Sequence, residues 1–349
     1  MKIGFFNPYF DSLGGGERYS LTLARHWSSI HDVCIFWDNE KILTEAENRF
    51  HLDLSKVTIH KNIFRNEILG KIKETSKFDV IFILSDGSIP TSFARHNILH
   101  FQVPFPAVSY PFWKRALYGA IVCNSQFTKR FIDQSVGVPA SVIYPPVETG
   151  LFKTGTKENM ILSVGRFSSH HQAKKQEVLI DAFQTSTRHQ IFPKDVTFVL
   201  AGGVLSSDQG YFESLQLKAK GCPIQFFPNC SFIKLQELYS RSSVYWHAAG
   251  FGETNPQNFE HFGISTVEAM ASGTIPVVFD GGGQSEIIRN GIDGYLWKTT
   301  DEMIKISHTL FDNPRKVSNM RTDIRKRAEV FDVSNFLKSF DLLLDHMTP

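Results

Sequence analysis

The sequence predicts an α/β protein made of two open units, each a parallel sheet with helices on both faces. Three observations carry this. Short β-rich runs alternate with helix-sized segments along the whole chain, which is how parallel strands are connected. The 349 residues exceed what one hydrophobic core usually supports, and 42% hydrophobic residues are enough to fill two. A stretch rich in proline, glycine and polar residues, SVIYPPVETGLFKTGTKEN, interrupts the alternation and reads as a linker. The units are therefore placed at residues 1–148 and 149–330.

KIGFFN opens the first unit. It is short, runs into Asn-Pro and lacks a small-residue cleavage site, so it reads as a strand and not as a signal peptide. DVCIFW, FDVIFIL, NILHFQ and GAIVCNS follow as strands. After the linker come MILSVGRF, VTFVLAGG, IQFFPN, SSVYWHAA and TIPVVFD. The tail RAEVFDVSNFLKSFDLLLDHM sets Phe331, Phe336, Phe340, Leu343 and Leu344 on one helical stripe. Two readings fit it: packing on its own unit, or residues 331–349 crossing back onto the first. Two units joined by a hinge leave a cleft, and in open α/β sheets ligands sit beyond the carboxyl ends of the strands.

Composition removes several function classes. A net charge of +2 gives no electrostatic argument for nucleic acid, which calls for a concentrated basic face, so any basic patch is local. No apolar run approaches membrane-spanning length. Cys34, Cys123, Cys222 and Cys230 form no C-x-x-C pair, so neither a zinc knuckle nor a disulfide framework is indicated, and a reducing, cytoplasmic setting is expected. No repeat of 20–50 residues is evident.

Four strand ends carry candidate chemistry. In NPYFDSLGGGERYSLTLARHW, the run Gly14-Gly15-Gly16 lets backbone approach a ligand at a helix beginning near Glu17. Position 19 is Tyr, so the dinucleotide fingerprint G-x-G-x-x-G is absent. In VGRFSSHHQAKKQEVLIDAF, Arg166 ends a strand and Lys174 and Lys175 precede an amphipathic helix. A guanidinium and an ammonium suit a diphosphate, although solvated surface charge fits either residue taken alone. In FEHFGISTVEAMASG, Glu260 and Glu268 flank Gly263 and a helix beginning near Ser265, whose N-terminus would attract an anion. Ser265 and Glu268 equally fit a capping box, with Gly273 as the stop. In FDGGGQSEIIRNGIDGYLW, Gly281, Gly282 and Gly283 form a third flexible strand end before Glu286.

His100, in NILHFQVPF, falls at a strand end and would face the cleft. His96 and His100 lie in a strand-like run with no third ligand nearby, and no D-x-D element is present apart from the near miss Asp38-Asn-Glu40. No metal site and metal-independent chemistry are expected.

Taken in order, GGGER, GRF…KKQEVLIDAF, EHFGISTVEAM, ASGTIPVV and GGGQSEII…NGIDGYL resemble the retaining glycosyltransferases of family four, which have the GT-B fold. The resemblance spans nearly the whole chain and is densest from Met160 to Trp297. It implies two Rossmann-like domains facing a central cleft, with a nucleotide-sugar donor held mostly by the C-terminal one and transfer with retention. By motif, Glu260 is the first acid of the pair, beside the donor sugar, and Glu268 the second, on the ribose hydroxyls. Backbone N–H groups of Phe262, Gly263, Ile264, Ser265 and Thr266 meet sugar and phosphates. Arg166 and Lys174 stabilise the departing diphosphate, Gly15 and Gly16 close over it from the other domain, and His100 matches the cleft histidine near the sugar. Glu260 is either nucleophile or orienter.

Two departures bear on this. SSHHQ lengthens the loop from Arg166 to Lys174, so Lys175 competes for the phosphate, and GFGETNPQN adds Glu253, Thr254 and Asn255 before Glu260. The reading implies no cofactor beyond the donor substrate, for which UDP-glucose is favoured over GDP-mannose. Alternatives are a GDP-mannose-dependent mannosyltransferase, a nucleotide-sugar epimerase and a non-catalytic sugar-nucleotide-binding subunit. For the acceptor, KNIFRNEILGKIK and YPFWKRALY mix basic and aromatic or aliphatic residues, as an anionic membrane and a lipid-linked or other saccharide would require, at the inner membrane face. An ordinary amphipathic helix also fits.

Overall fold

The structure, a computed structural model, describes residues 1–348 except Ser109, His171 and Gln172. Part of the SSHHQ interval therefore lies outside the described residues. The chain divides into two compact units, Met1–Pro146 with Val333–Pro349, and Val147–Asp332.

The first unit runs β1 (Lys2–Phe6), α1 (Gly15–Trp27), β2 (Asp32–Phe36), α2 (Ile42–Phe50), β3 (Val57–His60), α3 (Ile68–Thr75), β4 (Val80–Leu84), β5 (His96–Phe101), α4 (Phe112–Arg115), β6 (Ala120–Cys123), α5 (Gln126–Val136) and β7 (Ser141–Val142). Its sheet is parallel, ordered β3-β2-β1-β4-β5-β6-β7. The central strand β4, VIFIL, is buried at every position, because helices cover both faces of a parallel sheet and leave no side for polar residues.

The second unit runs β8 (Glu158–Val164), α6 (Gln176–Arg188), β9 (Thr197–Gly202), α7 (Gln209–Lys218), β10 (Ile224–Pro228), α8 (Phe232–Arg241), β11 (Ser242–His247), α9 (Ile264–Ala271), β12 (Ile275–Phe279), α10 (Gln284–Ile287), β13 (Tyr295–Trp297), α11 (Thr300–Asp312) and α12 (Pro314–Glu329). Its parallel sheet is ordered β10-β9-β8-β11-β12-β13. The order reverses between β8 and β11, and a doubly wound sheet binds ligands at such a reversal, beyond the strand ends.

The tail departs from the single stripe read in the sequence. Helix α12 stops at Glu329, and α13 (Val333–Met347) starts after a break in which Val147 bridges Asp332. The Asp332 carboxylate accepts from Thr149 Oγ1 at 2.5 Å, fixing the break. Phe331 consequently stays with the second unit, its ring 5.4 Å from that of Phe262. Phe336, Phe340 and Leu344 instead join the first unit's core with Phe5, Tyr19 and Trp27. Asp341 anchors α13 there, accepting from Trp27 Nε1 at 3.0 Å and meeting His26 Nε2 at 2.9 Å.

Candidate functional site

In the second unit the candidate residues gather where the strand order reverses. Arg166 follows β8, His247 ends β11, and Glu260 and α9 come next along the chain. Arg166 is exposed, and among the described residues its guanidinium has neither hydrogen bond nor ion pair; its backbone carbonyl accepts from Gln176 Nε2 at 2.8 Å. The Lys174 stem lies over Gly165, where a Cβ would meet Lys174 Cγ at 2.7 Å, so glycine beside Arg166 makes room for the lysine.

Lys174 Nζ donates to Glu260 Oε2 at 2.6 Å, and His247 Nε2 meets the same oxygen at 2.9 Å. Gln284 Nε2 reaches the other ring nitrogen, His247 Nδ1, at 3.3 Å. The cluster is sheltered, with 2% of the His247 and 14% of the Glu260 side chain exposed. Burial alone would raise the Glu260 pKa; Lys174 and then His247 outweigh it and hold the carboxyl well below the usual carboxylate range. Lys175, the N-cap of α6 with a left-handed φ of 54°, pairs instead with Glu253 Oε1 at 2.5 Å. Glu253 also accepts from Asn258 Nδ2 at 2.9 Å. The two neighbouring lysines thus have different carboxylates, and the interval before Glu260 is tied down by Lys175.

Helix α9 begins one residue earlier than the sequence indicates, with Gly263 as N-cap at φ 123° and no side-chain cap. The capping box of Ser265 and Glu268 does not form. Ser265 Oγ accepts from Tyr245 OH at 2.8 Å, and Glu268 Oε2 accepts from Tyr239 OH at 2.9 Å, so both side chains are held by tyrosines. Thr266 Oγ1 is buried with no partner among the described residues. Gly281–Gly283, read as a flexible strand end, is a packing device: Gly283 N donates to Glu260 O at 2.8 Å, and a Cβ on Gly283 would meet His261 O at 2.4 Å. Side chains are excluded there because the loop lies directly on the backbone of Glu260 to Phe262.

In the first unit, α1 starts at Gly15, earlier than the sequence reading near Glu17, and its Gly14 N-cap N–H donates to Glu17 Oε2 at 2.7 Å. Glu17 also accepts from Ser12 Oγ at 2.7 Å and Asn7 Nδ2 at 3.0 Å, so it organises the glycine turn from beneath. A Cβ on Gly16 would meet Gln102 Oε1 at 2.7 Å, which places the start of α1 beside the end of β5. His100 is wholly buried and stacks on Tyr19 with ring centroids 4.0 Å apart. Burial pushes its pKa down to about 3, against a smaller opposing effect of Val122 O, 3.1 Å from Nδ1. The neutral ring therefore keeps its proton on Nδ1, and Nε2 is an acceptor without a partner among the described residues.

Sequence reasoning missed Glu17, His247 and Gln284. Glu17 lay inside GGGER, three residues after Gly14, which is capping spacing. His247, the last residue of SSVYWH, sat at a strand end as His100 does. Nothing in the sequence links Gln284 to either.

A family model described as Glycosyl transferases group 1 matches residues 151–330, and one described as Glycosyltransferase Family 4 matches residues 13–151. The chain is similar to a Dictyostelium discoideum protein named GDP-Man:Man(3)GlcNAc(2)-PP-Dol alpha-1,2-mannosyltransferase, 31% identical over 239 residues, covering 63% of this chain and 46% of that protein. A human protein of the same name is 25% identical over 241 residues, covering 63% and 47%. The chain spans about half the length of these curated relatives. Among solved structures, Anabaena HepE in complex with UDP superposes with a TM-score of 0.77 at 21% identity, over 99% of this chain and 100% of that one. Sucrose-phosphate synthase from Thermosynechococcus elongatus gives 0.69 at 14% identity, over 99% of both. The fold shared with these structures is GT-B, with two Rossmann-like domains.

Proposed function

The chain belongs to the group 1 glycosyl transferases of family four, and from that premise we propose that it moves a hexose from a nucleoside-diphosphate sugar to a saccharide or lipid-linked acceptor. The observation that carries the reading is the sheltered Lys174–Glu260–His247 cluster beside the uncapped start of α9, with Arg166 unpaired among the described residues. Cleaving a sugar–phosphate bond leaves negative charge on the departing diphosphate. Fixed cations and helix N–H groups stabilise that charge more in the transition state than in the ground state. Arg166 and Lys174 take the diphosphate, with the backbone N–H groups at the uncapped start of α9 to donate beside it. Glu260 takes the sugar and Glu268 the ribose, and Gly15 and Gly16 of the first unit are the glycines we assign to the phosphates. His100 Nε2 accepts from a sugar hydroxyl. Proton transfer follows same-face attack, with the leaving phosphate accepting the acceptor's proton, and the chemistry needs no metal. Full activity in EDTA is the expected result.

For the donor we favour GDP-mannose, the sugar nucleotide in the name shared by the curated relatives. UDP-glucose is the second reading, favoured by the superposition on HepE, which was solved in complex with UDP-glucose. Initial rates with both donors decide between them. If calorimetry shows no binding of GDP, UDP or their sugars, the reading fails.

A lipid-linked acceptor would bring the first unit to an anionic membrane surface, at the inner face of a cytoplasmic membrane. What supports this is exposed apolar side chains on two basic helices: Leu69 on α3 is 75% exposed and Phe112 on α4 is 88% exposed. Lys71 and Lys114 lie close enough that, after burial, Lys114 is what lowers the Lys71 pKa. Cations around exposed apolar side chains are the pattern of interfacial binding. The protein should co-sediment with anionic vesicles, and Leu69→Glu with Phe112→Glu should abolish this.

A further inference from the structure

Two side-chain donors, Lys174 and His247, and one backbone donor, Gly283, converge on Glu260, Gln284 reaches His247 from the far side of its ring, and the reading above gives a chemical role only to Lys174. Both side-chain donors fall on Oε2, while Oε1 has no partner among the described residues. With the Gln284 amide nitrogen toward Nδ1, the ring carries its proton on Nε2 and donates it to the carboxylate. Gln284 is itself wholly buried and wedged against the α9 N-cap, since a Cβ on Gly263 would meet its Nε2 at 2.8 Å.

We propose that His247, set by Gln284, is a positioning residue that holds Glu260 when Lys174 turns to the donor's diphosphate. The proposal rests on the function argued above. Lys174 cannot serve two anions fully. If it were the sole partner of Glu260, each donor bound would strand a sheltered carboxylate, and a buried charge left unpaired is costly. His247 removes that conflict. It keeps Oε2 occupied, fixes the carboxylate plane and leaves Oε1 directed to the sugar whichever anion the lysine contacts.

The test is a double-mutant cycle of His247→Ala and His247→Gln in wild-type and Glu260→Gln backgrounds, with kcat, donor KM, nucleoside-diphosphate affinity and melting temperature measured throughout. His247→Ala should lower kcat about 10- to 100-fold with nucleoside-diphosphate Kd changed less than about 3-fold, the cost of a misplaced reacting group. His247→Gln, which keeps an N–H donor, should recover most of that loss. In Glu260→Gln the same His247→Ala change should cost less than about 3-fold, since coupled groups are not additive. Equal losses in the two backgrounds, or no rescue by glutamine, would overturn the proposal and make His247 a packing residue. Should His247→Ala not fold, Gln284→Leu releases Nδ1 without touching Glu260; unchanged kcat there also overturns it. Wild-type protein that binds no nucleoside diphosphate refutes the functional reading itself, so the two failures are distinguishable.

Discussion

Gly282→Ala tests the link between the third glycine run and the acid it lies against. A Cβ at Gly282 would stand 2.1 Å from Glu260 O, whereas real Cβ contacts stay above 3.0 Å. Backbone must therefore move by about 0.9 Å, and the atom in the way belongs to Glu260 itself, so the displacement falls on the reacting region, where about 1 Å of misplacement costs about 100-fold in rate. The left-handed φ of 65° adds roughly 1–2 kcal/mol of strain for alanine. Gly291→Ala separates strain from collision, because Gly291 has a similar φ of 79° with nothing within 4 Å of its Cβ position. Initial-rate transfer at saturating donor, with melting temperatures for both variants, is the assay. Gly291→Ala should melt slightly earlier and turn over normally; Gly282→Ala should lose about two orders of magnitude in kcat. A folded Gly282→Ala protein within about 3-fold of wild-type kcat refutes the reasoning, because that ratio is under 1 kcal/mol of barrier.

Glu17→Ala removes a carboxylate accepting three hydrogen bonds, two of them from buried Asn7 and the Gly14 backbone, and should lower unfolding free energy by about 3 kcal/mol in denaturant titration. Glu17→Gln should lose less. Arg166→Ala should slow turnover about 10- to 100-fold at unchanged melting temperature, since the side chain is exposed and unpaired among the described residues. Glu268→Ala should weaken donor binding in calorimetry and also lower stability, because Tyr239 OH loses the nearer of its two acceptors, at 2.9 Å, and keeps only Ser265 O at 3.2 Å. Burial and then Arg321 push the Lys157 pKa down to about 7, so between there and the ordinary lysine value of about 10.4 the unfolded chain holds the extra proton and stability rises with pH. The melting temperature should climb from pH 7 to 9 in wild type more steeply than in Lys157→Met.

Much of the fold was legible because parallel strands covered on both faces must be continuous apolar runs, and VIFIL and IPVVF are such runs. The strands that escaped, VTIH, SV and YLW, are short and lie toward sheet edges, where half-exposed residues break the apolar signal. The break at residues 330–332 escaped too, since Phe331 continues the helical spacing of Phe336 and Phe340, and contacts with Val147 and Thr149, distant in sequence, interrupt it. At the site, residues read by motif were visible, but their partners were not. Ser265 and Glu268 fit a cap on spacing alone; two tyrosines from α8 and β11, distant in sequence, decide otherwise. Such competition between a local and a non-local hydrogen bond leaves no mark in a short window.

The arrangement at Glu260 also explains why three glycines sit at Gly281–Gly283 when a turn needs only one. A carboxylate sheltered from water is stable only if its donors are already in place, and in the proposed reading one donor, Lys174, also serves the diphosphate. The others must then be immobile. His247 is fixed by Gln284, Gln284 by its seat against Gly263, and the Glu260 backbone by Gly283 N. At Gly263 and Gly283 a Cβ would collide, with Gln284 Nε2 at 2.8 Å and His261 O at 2.4 Å, so the glycines bring the loop near enough for Gln284 to reach His247. In the proposed reading the lysine, whose stem runs over Gly165 beside the unpaired Arg166, is the partner that turns to the diphosphate, while His247 Nε2 and Gly283 N stay on Glu260.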